Sequence, residues 1–116
     1  FADTSLESVR DFVGATADIE YRPGWIPASF AGLEATRYCF AHIDLDLHDS
    51  IRDALAYLYP RMTAGGAIVF DDYGFAACPG ARRAVDAFFA DKPEQPLALT
   101  TGQAVVMRLP EVARLS

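Results

Sequence analysis

His42-Ile43-Asp44-Leu45-Asp46-Leu47 is an apolar, strand-like run that ends in carboxylates, and Ile68-Val69-Phe70-Asp71-Asp72-Tyr73 is a second. Asp71 follows Asp44 by 27 positions, and an amphipathic helical pattern lies between them. That is the length and rhythm of one βαβ unit. Neighbouring parallel strands lie roughly 4.8 Å apart and end on the same edge of the sheet. Pairing of the two runs therefore brings Asp44, Asp71 and Asp72 to the edge where open α/β sheets bind ligands. Buried carboxylates are costly, and three converging ones repel one another unless a cation sits between them. The first expectation is a metal site.

The flanking sequence extends this unit in both directions. Thr4-Ser5-Leu6-Glu7 reads as a capping box with Thr4 as N-cap, opening a helix that Gly14 stops. Ala17 to Arg22 alternates like a short strand. Arg22-Pro23-Gly24-Trp25-Ile26-Pro27 breaks it, with Trp25 expected to plug the end of the core ahead of lining a ligand loop. Tyr38 to Leu47 is apolar on both faces for most of its length, which suits the middle of a parallel sheet. Asp49 or Ser50 caps the next helix, and Pro60 ends it near Tyr59. Ala64-Gly65-Gly66 turns into the strand Ala67 to Asp71. A helix over 80–90 buries Ala84, Val85 and Phe88. Leu97 to Thr100 and Ala104 to Leu109 form an antiparallel hairpin at the sheet edge. The order α-β-(α)-β-α-β-α-β-β predicts an α/β layer architecture, mostly parallel, with an antiparallel C-terminal hairpin.

Length and charge narrow the function. At 116 residues the chain is one domain at most, and 52% hydrophobic and 12% aromatic residues describe a folded one. A formal charge of −6, with Lys92 the single lysine, provides no basic patch for nucleic acid. No apolar run reaches the ~20 residues of a membrane span. Cys39 and Cys78 form no CxxC pair; Cys39 reads as a small core residue, and a reducing cytoplasm is the default compartment.

Oxygen ligands without His or Cys favour Mg²⁺, Ca²⁺ or Mn²⁺ over zinc or copper. Asp46, two residues past Asp44 on the same face, is a fourth ligand or a general base. His48 is the other base candidate. His42, mid-strand, reads as a satisfied core histidine. The order of the acidic pair and the absence of a late-strand lysine argue against a receiver domain of two-component signalling. A haloacid-dehalogenase-type phosphatase is a distant alternative, since Leu-His-Asp follows Asp46.

From Phe1 to Leu109 the chain resembles the macrocin O-methyltransferase (TylF-like) family, class I S-adenosylmethionine enzymes acting on sugars of antibiotics and related natural products. The resemblance is carried by 1–7 (Phe-Ala-Asp-Thr-Ser-Leu-Glu), Gly24-Trp25-Ile26-Pro27, the run from His42 to Leu47, and Leu58-Tyr59-Pro60-Arg61. Gly65-Gly66, Asp71-Asp72-Tyr73-Gly74 and the run from Gly80 to Phe88 complete it. It implies a Rossmann-like class I methyltransferase sheet that lacks its first two strands, within one partial domain over 1–116. It also implies Mg²⁺ held by Asp44, Asp71 and Asp72, with Asp46 deprotonating a sugar hydroxyl on a small-molecule acceptor. His48 stands where relatives more often show Tyr. The glycine-rich loop that would cradle S-adenosylmethionine has no counterpart, because Gly65 and Gly66 precede a strand rather than follow one. The expectation is a portion of a full enzyme, or a chain that completes its sheet with a partner. The competing class is a non-catalytic, truncated metal-binding module that dimerises through its open sheet edge.

Overall fold

The computed structural model describes residues 5–14 and 18–111. Their elements are α1 (Leu6–Val13), β1 (Tyr38–Ile43), α2 (His48–Leu58), β2 (Met62–Phe70), α3 (Pro79–Phe89), β3 (Leu97–Ala98) and β4 (Ala104–Met107). Short 3₁₀ turns occupy Ala28–Phe30 and Tyr59–Arg61. The strands form one sheet in the order β1-β2-β4-β3. β1 and β2 run parallel, as the βαβ reading expects. β4 lies antiparallel to both β2 and β3. The sheet is thus mixed rather than mostly parallel, because the hairpin supplies two of its three pairings.

Burial follows from the period-2 alternation of the strands. Ile43, Ile68, Phe70, Ala104 and Val106 point to one face, where Ile51, Ala54 and Leu55 of α2 and Ala81, Ala84, Val85 and Phe89 of α3 cover them. Phe70 and Phe89 meet edge to face at 6.5 Å. Each such side chain, fully buried, contributes about 1.5–3 kcal/mol. The opposite face carries the rows Phe40–Ala67–Met107 and His42–Val69–Val105–Leu97. Helices cover none of these rows among the described residues; Phe40 is 59%, Met107 53% and Leu97 61% exposed.

Several expectations shift. β1 is an edge strand despite its two apolar faces, and Cys39 is exposed rather than in the core. Trp25 is 88% exposed and plugs nothing. Thr4 lies outside the described residues; Ser5 is the N-cap of α1, with Ser8 completing the capping box. Ala17 also lies outside them, and residues 18–22 form no strand. There the Arg22 guanidinium donates to the carbonyls of Ser29 and Ala31 and pairs with Glu20, tying the segment to its own loop. α2 starts at His48, behind Leu47, without a side-chain cap from Asp49 or Ser50. Gly65 and Gly66 do not precede β2 but lie inside it, where the β1–β2 register slips. A Cβ on Gly66 would stand 2.8 Å from the Cys39 carbonyl oxygen, so the strands close only around a glycine.

At the far end of the sheet from the carboxylates, Glu94 is 2% exposed and fully engaged. It accepts from Tyr59 Oη at 2.7 Å, Arg108 Nη1 at 3.0 Å and the Leu109 N–H at 3.0 Å. The Arg108 guanidinium stacks 4.1 Å over the Tyr59 ring.

Candidate functional site

The ladder between β1 and β2 runs one step past the strands, because the Asp71 N–H donates to the Ile43 carbonyl at 3.0 Å. That step sets Asp71 beside Asp44, and Asp72 follows on the loop. Donor oxygens of Asp44, Asp71 and Asp72 all lie within 4.8 Å of one another. Asp46 does not join this trio; it clusters instead with Asp72 and Cys78, again within 4.8 Å. His48 turns away, with Nδ1 3.0 Å from Asp49 Oδ1.

The loop that carries the site is pinned on two sides. Tyr73 is 6% exposed and donates to Asp86 of α3 at 2.6 Å. The Gly74 N–H donates to the Gly102 carbonyl at 2.7 Å, joining the loop to the β3–β4 turn. Gly102, at φ +93°, leaves room for the Phe75 ring, which a Cβ there would meet at 2.9 Å.

The three carboxylates sit in different fields. Gln103 Nε2 donates to Asp71 Oδ1 at 3.0 Å, and His42 Nε2 is 3.4 Å from the same oxygen. The Gln103 hydrogen bond, which outweighs burial, and the nearby His42 hold the Asp71 carboxyl below the usual range. Asp72 goes the other way. Burial, then the hydrogen bond and charge of Asp46, then Asp71 and Asp44, push it up to about 6. Its Oδ2 is buried and has no hydrogen-bond partner among the described residues. An orphaned buried carboxylate oxygen needs a proton or a cation. The donor set is all hard oxygen, which fits Mg²⁺, Ca²⁺ or Mn²⁺.

Sequence reasoning missed Gln103, the surroundings of His42, and Cys78. His42 is exposed on the open sheet face, not a core histidine. Gln103 was within reach of a register argument, since Phe70 pairs with Ala104 and the next step opposes Asp71 and Gln103. Cys78, at the start of α3, carries no pattern that marks it.

A groove of about 470 Å³ opens beside the loop, lined by Tyr73, Gly74, Phe75, Pro79, Arg82 and Arg83, among others. A larger cavity of about 910 Å³ lies at the Tyr59–Arg108 end. Neither lining includes Asp44, Asp46, Asp71 or Asp72, so cavity volume does not locate the chemistry.

Residues 3–108 match the family model of the macrocin O-methyltransferases (TylF). The chain belongs to that family. A tetracenomycin rhamnosyl 4'-O-methyltransferase of Streptomyces olivaceus is 37% identical over 60 residues, which are 52% of this chain and 23% of that protein. Demethyldecarbamoylnovobiocin O-methyltransferase of Streptomyces niveus is 32% identical over 72 residues, 62% of this chain and 27% of that one. Among solved structures, the O-methyltransferase NovP superposes with a TM-score of 0.77 at 24% identity, covering 90% of this chain and 43% of its own. TylF family membership and an α/β fold shared with NovP are therefore established. The chain spans less than half the length of NovP, and its matched segments are under a third of these two curated relatives.

Proposed function

We propose that this chain carries the metal-and-base part of an S-adenosylmethionine-dependent O-methyltransferase site that acts on a sugar hydroxyl of a natural product. The observation that carries this reading is the meeting of Asp44, Asp71 and Asp72 around the unpartnered Asp72 Oδ2, in a chain of the TylF family. Asp44, Asp71 and Asp72 would hold Mg²⁺. Bound there, the cation supplies charge that orients and polarises an acceptor oxygen. Asp46 is the proton acceptor: it is exposed to an incoming hydroxyl, and it clusters with Asp72 on the loop side. The groove along Tyr73, Phe75 and Arg82 suits the sugar, with aromatic edges and polar groups side by side.

The methyl donor finds no such fit among the described residues. Gly66 is used against Cys39 and Gly74 against Gly102, so neither cradles a cofactor. We read residues 1–116 as part of a single Rossmann-like class I methyltransferase domain, without its first two strands. No described helix is long and apolar enough to cross a membrane, and the reading places the chain with cytoplasmic biosynthetic enzymes.

The free edge of β1 favours a second reading, a non-catalytic module that pairs with another chain along that edge. Calorimetric titration with S-adenosylmethionine in Mg²⁺, followed by transfer of a labelled methyl group to a glycosylated acceptor, separates the two. The transferase reading predicts Mg²⁺ binding by this chain, and donor binding and transfer once the missing strands are supplied, with transfer abolished and Mg²⁺ binding kept in Asp46→Asn. Transfer undiminished in Asp46→Asn contradicts the assignment of the base. Absence of donor binding and transfer even with those strands supplied supports the module.

A further inference from the structure

We propose that Gln103 is a positioning residue for the cation site: with His42, it holds Asp71 Oδ1 so that Oδ2 is the oxygen offered to the metal. This rests on the reading of Asp44, Asp71 and Asp72 as the ligands.

Asp71 is flanked by two strands, and each sends it a nitrogen. From the residue before β4, Gln103 Nε2 donates to Oδ1 at 3.0 Å; from β1, His42 Nε2 lies 3.4 Å from the same atom. Neither contact falls on Oδ2. A carboxylate rotates freely about its terminal bond unless its oxygens are distinguished, and donors on one of them remove that freedom.

The Gln103 amide is itself oriented. Thr101 Oγ1 lies 3.2 Å from Gln103 Oε1 and 3.4 Å from the Gln103 backbone nitrogen. The hydroxyl accepts from the backbone N–H and donates to the amide oxygen, so the NH₂ group must face Asp71. Flipping the amide would set Oε1 against a carboxylate and leave the Thr101 hydroxyl proton without its acceptor. Thr101, Gln103 and Asp71 thus form a directional relay from the hairpin turn to the site.

The turn is also fixed as a body. The Gly74–Gly102 hydrogen bond joins it to the loop that carries Asp72, and Leu99 N–H donates to the Gln103 carbonyl at 2.8 Å. The hairpin is therefore part of the site's scaffold and not a peripheral edge.

The test is calorimetric titration with Mn²⁺, alone, of the parent chain and of Gln103→Met, Gln103→His, Thr101→Val and Asp71→Asn, with metal-free melting recorded for each. Loss of such an outer partner costs about 10–100-fold in metal affinity. Gln103→Met should weaken Mn²⁺ by about tenfold or more, and Thr101→Val by a smaller factor. Gln103→His keeps an N–H of similar reach and should restore most of the affinity, a rescue that a purely structural role would not produce. Metal-free melting should move by only a few degrees in Thr101→Val and Gln103→His. If Gln103→Met and Thr101→Val bind Mn²⁺ as tightly as the parent while Asp71→Asn does not bind, the positioning role is overturned and the metal site stands. If the parent itself does not bind Mn²⁺, the ligand reading falls first and takes this proposal with it. Should Gln103→Met fail to fold, the ranking of Thr101→Val below the parent still decides.

Discussion

Asp46 and Asp72 hold donor oxygens within 4.8 Å of each other, and after burial the nearness of Asp46 does most to hold the Asp72 carboxyl up to about 6. The proposed base and the proposed ligand are therefore coupled before any cation is bound. Unfolded, an aspartate titrates near 3.9. Between those two values the folded chain keeps a proton that the unfolded chain releases, so stability falls as pH rises through this window and the loss is complete above it. Asp72→Asn removes the destabilising charge. It should raise metal-free melting at pH 8 by a few degrees and abolish stabilisation by Mg²⁺. Scanning calorimetry with and without Mg²⁺ checks both arms; a lowered metal-free melting temperature would show that the carboxylate is not under electrostatic strain.

The opposite end of the sheet behaves in the reverse sense. Burial alone would raise Glu94, but Tyr59, the Leu109 N–H and Arg108 together bring it below its ordinary value. A carboxylate depressed in the folded state contributes stability above its unfolded pKa, near 4.3, and that contribution disappears as pH falls through the lower folded value. Arg108→Met leaves Glu94 buried without its cation and should cost about 3–5 kcal/mol. Urea unfolding at pH 7 measures the loss, and the acid-unfolding midpoint should move upward.

Gly66→Ala tests the join between β1 and β2. Its Cβ would lie 2.8 Å from the Cys39 carbonyl and 2.9 Å from that of Thr63. Both are backbone atoms, so a strand must shift, at about 1–3 kcal/mol. Gly65→Ala is the control: nothing lies within 4 Å of its Cβ, and only the positive φ of 83° opposes it, at roughly 1–2 kcal/mol. Denaturant unfolding of the pair should also show weaker Mg²⁺ stabilisation in the Gly66 variant, because Asp44 and Asp71 are aligned through this ladder.

The sequence made the site more legible than the sheet around it. Two apolar runs ending in acids, one βαβ unit apart, were enough to place Asp44 beside Asp71, because parallel pairing leaves their ends no other arrangement. β1 misled for the same reason that it is informative. Its two apolar faces describe a central strand, yet Phe40 and Cys39 are exposed here. The pattern records what a strand is suited to bury, not what this stretch of chain covers. Gln103 went unnoticed because its role depends on a hairpin register that only the pairing of Phe70 with Ala104 fixes. The alternation read from Ala17 to Arg22 gives no strand over 18–22, because period 2 needs a neighbouring strand and Arg22 spends its donors on its own loop.

Phe40 offers a direct probe of the open edge. At 59% exposure it packs little within the chain, so Phe40→Glu should change stability by no more than about 0.5 kcal/mol. A charge on an exposed edge strand opposes strand pairing between chains. On the second reading, sedimentation velocity shows concentration-dependent association in the parent and less of it in the variant; equal behaviour would remove the edge as an association surface.

The proposed divalent-cation site needs Asp44, Asp71 and Asp72 together. Thermal unfolding across a Mg²⁺ titration tests it most directly, with Asp44→Asn and the Asp71→Asn/Asp72→Asn double variant run beside the parent. A shared site requires a melting temperature that climbs with Mg²⁺ in the parent and stays flat in both variants. A parent whose melting is the same with and without Mg²⁺ contradicts it.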